Sequence, residues 1–297
     1  MIYLVDASVF IFRAYYSVPI EMTDSAGNPV NALHGFARFL GDLIERESPD
    51  YLAVAFDESL ETSFRNEIYP AYKANRDPAP PELKRQFSLC RRACRAMGIV
   101  EFASGRYEAD DIIGTLVYKA RSAGRPVTIV SRDKDLTQLL SGQDTYWDAV
   151  ADIRYSHADI EEKFGASPER MADLLALMGD ASDNIPGVPG VGRKTAARLL
   201  KHFDHIDGVY ANLENVPKLK FRGAASVAER LRQHRDTALL SRRLTGIACD
   251  MPIDVEVEGL RRASPDLEEL DRCYDEAGFG RMLRNQARRI AGETADR

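Results

Sequence analysis

Nine acidic residues fall where chemistry is easiest to build: Asp6, Asp57, Glu108, Asp110, Asp111, Asp133, Asp135, Asp180 and Asp183. Asp6 and Asp57 each end a short apolar run, and Asp133 and Asp135 follow a third such run. Glu108 and Asp111 are three apart in YEADD, as are Asp180 and Asp183 in GDASDN, so each pair can share one face. Taken singly, Asp110 or Asp111 also suits an N-cap, and Asp133 and Asp135 suit ordinary loop acids. Taken together, nine like charges on one rim would repel unless cations neutralise them. Oxygen ligands without His or Cys clusters point to hard cations such as Mg²⁺ or Mn²⁺. More carboxylates than one Mg²⁺ can use implies two or more ions, a set suited to in-line displacement at phosphorus.

Two basic stretches complement the acids. Gly187-Val-Pro-Gly190-Val-Gly192 leads into Arg193-Lys194-Thr195, with Arg198 and Lys201 further along the same expected helix. Glycines let a backbone approach phosphate, and a helix N-terminus offers N–H donors. The spacing is not that of a Walker loop. A glycine turn between two helices with solvated lysines is the plainer alternative. The second stretch holds Tyr72, Lys73 and Arg76 within FRNEIYPAYKANR. Cations beside an aromatic ring suit a single nucleic-acid strand. A surface helix with Tyr69 and Tyr72 packed inward accounts for the same pattern.

The elements that must position these residues alternate. Ile2–Val5, Tyr51–Phe56 and Val127–Ser131 read as strands, and Gly98–Phe102 is a weaker one. Ala32–Glu47 and Asp110–Ala123 read as helices between them. Strands alternating with helices predict an α/β fold with a parallel sheet, whose ligands bind beyond the carboxyl ends of the strands. From about Met171 the pattern is almost wholly helical. The length of 297 residues fits two domains, with a boundary near residue 175, and the last eight or so residues read as a frayed tail.

Composition narrows the class. Hydrophobic residues make up 44% and charged residues 29%, enough apolar material for a large core. No apolar run approaches the roughly 20 residues of a membrane span, and Asp6 interrupts what would be a signal sequence. The four cysteines lack a CxxC pair, so zinc or disulfides are not expected, and the reducing cytoplasm is the expected compartment. The net charge of −6 divides unevenly: residues 61–100 carry +4, residues 193–243 carry +7, and the rest −17. An acidic body with two basic segments can hold cations and grip a polyanion at once.

The segments LVDASVFIFRAYYS, FDE, FRNEIYPAYKANR, YEADDIIGTL, SRDKDLTQLL and LMGDASDNIPGVPGVGRKTAARLL resemble the bacterial 5′→3′ exonuclease and flap endonuclease family. They are most similar to the N-terminal 5′-nuclease domain of DNA polymerase I. The motifs run in family order from residue 4 to about 200, so the resemblance covers nearly the whole chain. It implies a PIN-like nuclease core over 1–175 with a helical arch at about 58–90. A helical DNA-binding region with a helix–three-turn–helix element follows over 176–297. With no sequence left for a polymerase, it also implies a stand-alone member.

The resemblance further implies roles. Asp6, Asp57, Glu108 and Asp110 would hold a first ion, with Asp111 beside them, and Asp133, Asp135, Asp180 and Asp183 would surround a second. Lys73 and Arg76 would be the catalytic arch cations, and Tyr72 the ring under a base. Gly187, Gly190, Gly192, Lys194, Thr195, Arg198 and Lys201 would bind the duplex backbone, with K⁺ at the turn. The implied activity is Mg²⁺-dependent hydrolysis at 5′ ends and 5′ flaps of flapped, nicked or gapped DNA, in replication or repair. The implied protein is a monomer that acts among replication or repair proteins, away from membranes. Arg132 stands where polymerase-attached relatives commonly carry Gly, which either weakens the second ion site or adds a phosphate contact. The rival readings are a catalytically silent, structure-specific DNA-binding protein and a PIN-like RNase.

Overall fold

The computed structural model describes residues 1–58 and 62–292. In chain order the elements are β1 (Ile2–Asp6), α1 (Ala7–Ser17), α2 (Asn31–Glu47), β2 (Tyr51–Asp57), α3 (Phe64–Ile68), α4 (Pro81–Ala96), β3 (Val100–Ser104), α5 (Ala109–Ser122) and β4 (Val127–Val130). They continue with β5 (Thr145–Asp148), β6 (Ile153–Tyr155), α6 (His157–Phe164), α7 (Met171–Met178), α8 (Arg193–Phe203), α9 (Ile206–Ala211), α10 (Ala224–Gln233), α11 (Arg235–Thr245), α12 (Leu267–Glu276) and α13 (Arg281–Ile290). Packing divides the chain into two units. Unit 1 comprises Met1–Glu58, Pro78–Arg132 and Cys249–Arg297; unit 2 comprises Ser59–Asp77 and Asp133–Ala248. Residues 59–61 of the expected arch and residues 293–297 of the expected tail lie outside the described residues.

Unit 1 is built on four parallel strands in the order β3-β2-β1-β4. β1 is buried along its whole length. That is why it reads as an unbroken apolar run rather than an alternating one. Its register, Asp6 opposite Ala55 and Val5 opposite Val130, carries the ends of β1, β2 and β4 to one edge. From β1 the chain order runs outward through β2 and β3 on one side and jumps to β4 on the other. The carboxyl end of β1 is therefore the point where strand order reverses, the usual ligand position in an open α/β sheet.

Helix α2 supplies much of the core through Leu33, Phe36, Leu40, Leu43 and Ile44, with Phe36 edge-on to Phe56 of β2. Residues 249–292, grouped by the sequence reading with the helical region, pack on unit 1. The amide of Arg262 donates to Asp50 O and that of Ala263 to Gly98 O, while Arg92 of α4 pairs with Glu269 and Glu276 of α12. Gln286 of α13 donates to Asp42 and Glu45 of α2.

Unit 2 centres on α7, a helix buried along nearly its whole length, which packs against α8 and α11. Its Asp173 accepts from the amide of Ile206 at the start of α9 and pairs with Arg242 of α11. A hairpin, β5 and β6, precedes α6 and was not anticipated from the sequence. Its Tyr146 hydroxyl donates to the carbonyl of Asp133 at 3.0 Å, fixing the backbone of that acid.

After α7 the chain doubles back at once. The amide of Asp180 donates to Ile185 O at 2.9 Å and that of Ile185 to Asp180 O at 2.8 Å, closing a tight loop over 180–185. Gly187 then lies against Gly179 so closely that a Cβ at 187 would sit 2.2 Å from the Gly179 nitrogen, and its φ is +63°. Both the contact and the backbone angle demand glycine. Gly187→Ala should therefore destabilise the protein by roughly 3 kcal/mol. Denaturant unfolding checks this, and a loss below about 1 kcal/mol would show that the loop relaxes freely.

Candidate metal and nucleic-acid sites

In unit 1 neutral donors orient Asp6 and Asp57. Asp6 ends β1, is buried, and caps α1 by accepting from the Ser8 amide at 3.2 Å. Its second oxygen accepts from the Ser131 hydroxyl, just past β4, at 2.8 Å. Asp57 ends β2. It accepts from the Ser8 hydroxyl at 2.7 Å and from the Ala109 amide, at the start of α5, at 2.8 Å. Ser8 thus bridges Asp6 and Asp57 through its amide and its hydroxyl. The sequence reading missed Ser8 and Ser131, although both stand within two residues of the strand ends that it singled out.

Helix α5 opens with Glu108 as its N-cap and Asp111 at the third position, a reciprocal capping box. Asp111 is fully buried and accepts from the Glu108 amide at 3.1 Å. Glu108 is buried as well, and Asp110 is half-buried. Negative charge in a first helical turn is favoured by the helix dipole. The same three residues therefore stabilise the helix start and present carboxylates at the carboxyl edge of the sheet.

In unit 2 the acids are held by cations. Asp133 caps a short 3₁₀ turn by accepting from the Asp135 amide at 2.9 Å. Lys134 stands between Asp135 and Asp180, its Nζ 3.0 Å from Asp135 Oδ1 and 2.5 Å from Asp180 Oδ2. Burial and the neighbouring Asp133 push the Asp135 carboxyl up to about 7, against the pull of Lys134. Burial would raise Asp180, but hydrogen bonds from Lys134 and Ser182 win and lower it. Asp183 pairs with Arg76 and lies 3.7 Å from Lys73 Nζ, and the Tyr72 hydroxyl donates to it at 3.2 Å.

The segment carrying Lys73 and Arg76 is sewn to the 180–185 loop. The Lys73 amide donates to Asp183 O, Asn75 to Ala181 O, Arg76 Nε to Ser182 O, and Asn184 to Ala71 O. The expected helix stops at Ile68 and turns follow, with Lys73 at a left-handed φ of +55°. The physical reason is Pro70, which has no amide to donate and drives Tyr69 into extended backbone, at φ −145° and ψ 97°. Tyr72 is packed inward with Ile185 and Leu244. Arg65 of α3 is buried and donates to the carbonyls of Leu244 and Gly246 at the end of α11, where a helix is electrostatically negative.

Of the turn residues, Gly190 and Gly192 are exposed, Gly187 is buried, and Lys194, Arg198 and Lys201 line exposed positions of α8, with Thr195 half-buried. Gly192 caps α8 without a side chain, and the first amides of a helix have no partner within it. Arg132 is exposed. Among the described residues no three His, Cys, Asp or Glu side chains already stand as a metal cage. The donor set is nonetheless one for hard cations. It is made of carboxylates alone, and in Asp135 one of them is kept from full ionisation by burial beside like charge.

Ser8→Ala should lower divalent-metal affinity about tenfold, because a hydrogen-bonded partner orients a ligating carboxylate. Calorimetric Mn²⁺ titration checks this, and unchanged affinity would show that the hydroxyl does not orient Asp57.

Comparison with known proteins agrees on one family. Residues 1–165 match the family described as 5′-3′ exonuclease, N-terminal resolvase-like domain, and residues 166–268 match 5′-3′ exonuclease, C-terminal SAM fold. DNA polymerase I of Bacillus caldotenax is 39% identical over 284 residues, covering 94% of this chain and 32% of that protein. DNA polymerase I of Pseudomonas aeruginosa is 39% identical over 296 residues, covering 99% and 32%. The chain thus spans about a third of the length of these relatives. The fold is that of T5 5′-exonuclease with bound zinc, at a TM-score of 0.67, 20% identity and 98% coverage of both chains. The catalytic core of Rad2 in complex with DNA substrate gives 0.64 at 15% identity, with 97% and 90% covered. No helix among the described residues is long and apolar enough to cross a membrane. On the family matches, which together take in residues 1–268, the chain belongs to the 5′-3′ exonuclease family.

Proposed function

We propose that the protein is a metal-dependent 5′ nuclease that hydrolyses phosphodiester bonds at 5′ ends and 5′ flaps of duplex DNA in the cytoplasm, in replication or repair. The observation that carries this reading is the Ser8-bridged pair Asp6 and Asp57, at the switch point of a parallel sheet, beside the acidic start of α5. Asp6, Asp57, Glu108 and Asp110 would hold one Mg²⁺, with Asp111 fixing the helix start. Asp133, Asp135, Asp180 and Asp183 would hold another, and Mn²⁺ would substitute. Bound there, divalent ions supply the Lewis acidity that hydrolysis at phosphorus requires.

The chain's own residues do the rest. Ser8, Ser131 and the Ala109 amide orient Asp6 and Asp57 before substrate arrives. Lys73 and Arg76 leave Asp183 to take the charge that develops on the phosphate. Tyr72 would serve as a stacking ring only after rotating out of its present packing. The Gly190 and Gly192 amides, with Lys194, Thr195, Arg198 and Lys201, hold duplex phosphates without reading sequence. K⁺ would sit on the carbonyls of the 187–192 turn. Residues 1–175 would serve as the nuclease core, with the arch at about 58–90, and the helical part from 176 would serve chiefly in duplex binding as a monomer.

Cleavage of a 5′-end-labelled flap duplex in Mg²⁺ and in EDTA tests the reading. Metal-dependent cuts clustered at the junction are expected. Asp110→Ala and Asp133→Ala should each abolish cleavage and leave junction binding intact, whereas near-wild-type rates in either would refute its assignment. Lys73→Ala should slow cleavage at least a hundredfold with duplex binding little changed. Junction binding without cuts in Mg²⁺ or Mn²⁺ would make the protein a silent DNA-binding module instead.

A further inference from the structure

Lys134 touches two of the acids proposed above as ion ligands, yet nothing so far gives it a task. Its ammonium bridges Asp135 Oδ1 and Asp180 Oδ2, at 3.0 and 2.5 Å. The other oxygen of Asp180 is already engaged by the Ser182 amide and hydroxyl, at 2.8 and 2.5 Å. The Asp180 oxygen left for a cation is thus the one that Lys134 holds. On Asp135, Oδ1 lies buried without a hydrogen-bond donor in good geometry, and the Lys134 charge is what faces it. The Lys134 side chain is 36% exposed, while those of Asp135 and Asp180 are 14% and 8% exposed. The ammonium therefore has a route to solvent that the acids lack.

A lysine ammonium is a compact point charge on a flexible stem. A hard divalent ion takes the same carboxylate lone pairs. Both cannot occupy the space between these two oxygens. Without Lys134, Asp135 and Asp180 would lose the cation between them, and burial would make that costly.

We propose that Lys134 is a resident counter-cation of the unit 2 acids, which it holds together without metal and which a divalent ion takes over by displacing its ammonium into solvent. Lys134 is on this account a positioning residue that sets metal affinity. It keeps the acids assembled between turnovers and weakens ion binding by competition. The inference rests on the reading of Asp135 and Asp180 as ion ligands.

The test compares the full chain with Lys134→Met, which keeps length and loses charge. Mn²⁺ binding is followed by calorimetry, and heat unfolding is followed in EDTA and in saturating Mg²⁺. Lys134→Met should bind Mn²⁺ about tenfold more tightly. It should unfold at a lower temperature than wild type in EDTA, with the gap closing in Mg²⁺. In the unaltered protein, acetylation of Lys134 by an amine-reactive ester, read by mass spectrometry, should be several-fold faster in Mg²⁺ than in EDTA. A lysine with only a structural role would react alike in both. Equal or weaker Mn²⁺ binding by Lys134→Met, or acetylation indifferent to metal, overturns the role of Lys134 while leaving the ion site standing. Absence of Mn²⁺ binding in both proteins overturns the ion site and this inference together.

Discussion

Like charges crowded together repel, and the local bonds of each acid set answer that constraint. Unit 1 answers with neutral donors. Ser8, Ser131 and the Ala109 amide give Asp6 and Asp57 hydrogen bonds from uncharged groups. Unit 2 answers with cations, since Lys134 lies between Asp135 and Asp180 while Lys73 and Arg76 face Asp183. The first arrangement leaves charge in place for an incoming ion. The second holds the charge quiet until something stronger arrives.

The second arrangement also explains why two distant motifs need each other. The YKANR stretch has little regular structure of its own. It is ordered by bonds from Lys73, Asn75 and Arg76 to the backbone of the 181–183 segment, and by Asn184 in return. That segment in turn depends on the close approach of Gly179 and Gly187. Buried Arg65, fixed on the end of α11, anchors the other end of the stretch. A substitution at Arg65, Asn75, Gly179, Asn184 or Gly187 would reach Asp183 through backbone rather than through charge.

Much of this was legible in the sequence, because it is encoded locally. β1 and β2 are apolar runs that end in Asp6 and Asp57, and β4 is a short β-branched run that ends just before Ser131. The glycine turn and the cationic face of α8 were equally visible. What stayed hidden depends on partners far away in sequence. Ser131 is an ordinary serine until Asp6 lies beside it. The Lys73 amide is equally ordinary until the backbone of Asp183 lies beside it. The β5–β6 hairpin lacks the Asn-Gly or Asp-Gly turn that marks such pairs, with Asp152 taking the left-handed angle instead.

The threading of unit 1 has a consequence for how the protein is made. Its three segments are separated by both segments of unit 2, and α12 and α13 are the pieces that cover α4 and α2. On the ribosome, α4 emerges some 170 residues before α12. At cellular elongation rates that interval is on the order of ten seconds. During that interval the nascent chain carries uncovered apolar helix faces, while most of unit 2 is already available to fold. Biosynthesis therefore supplies all of unit 2 before unit 1 is complete, and a chain interrupted before α12 would leave unit 1 open to aggregation.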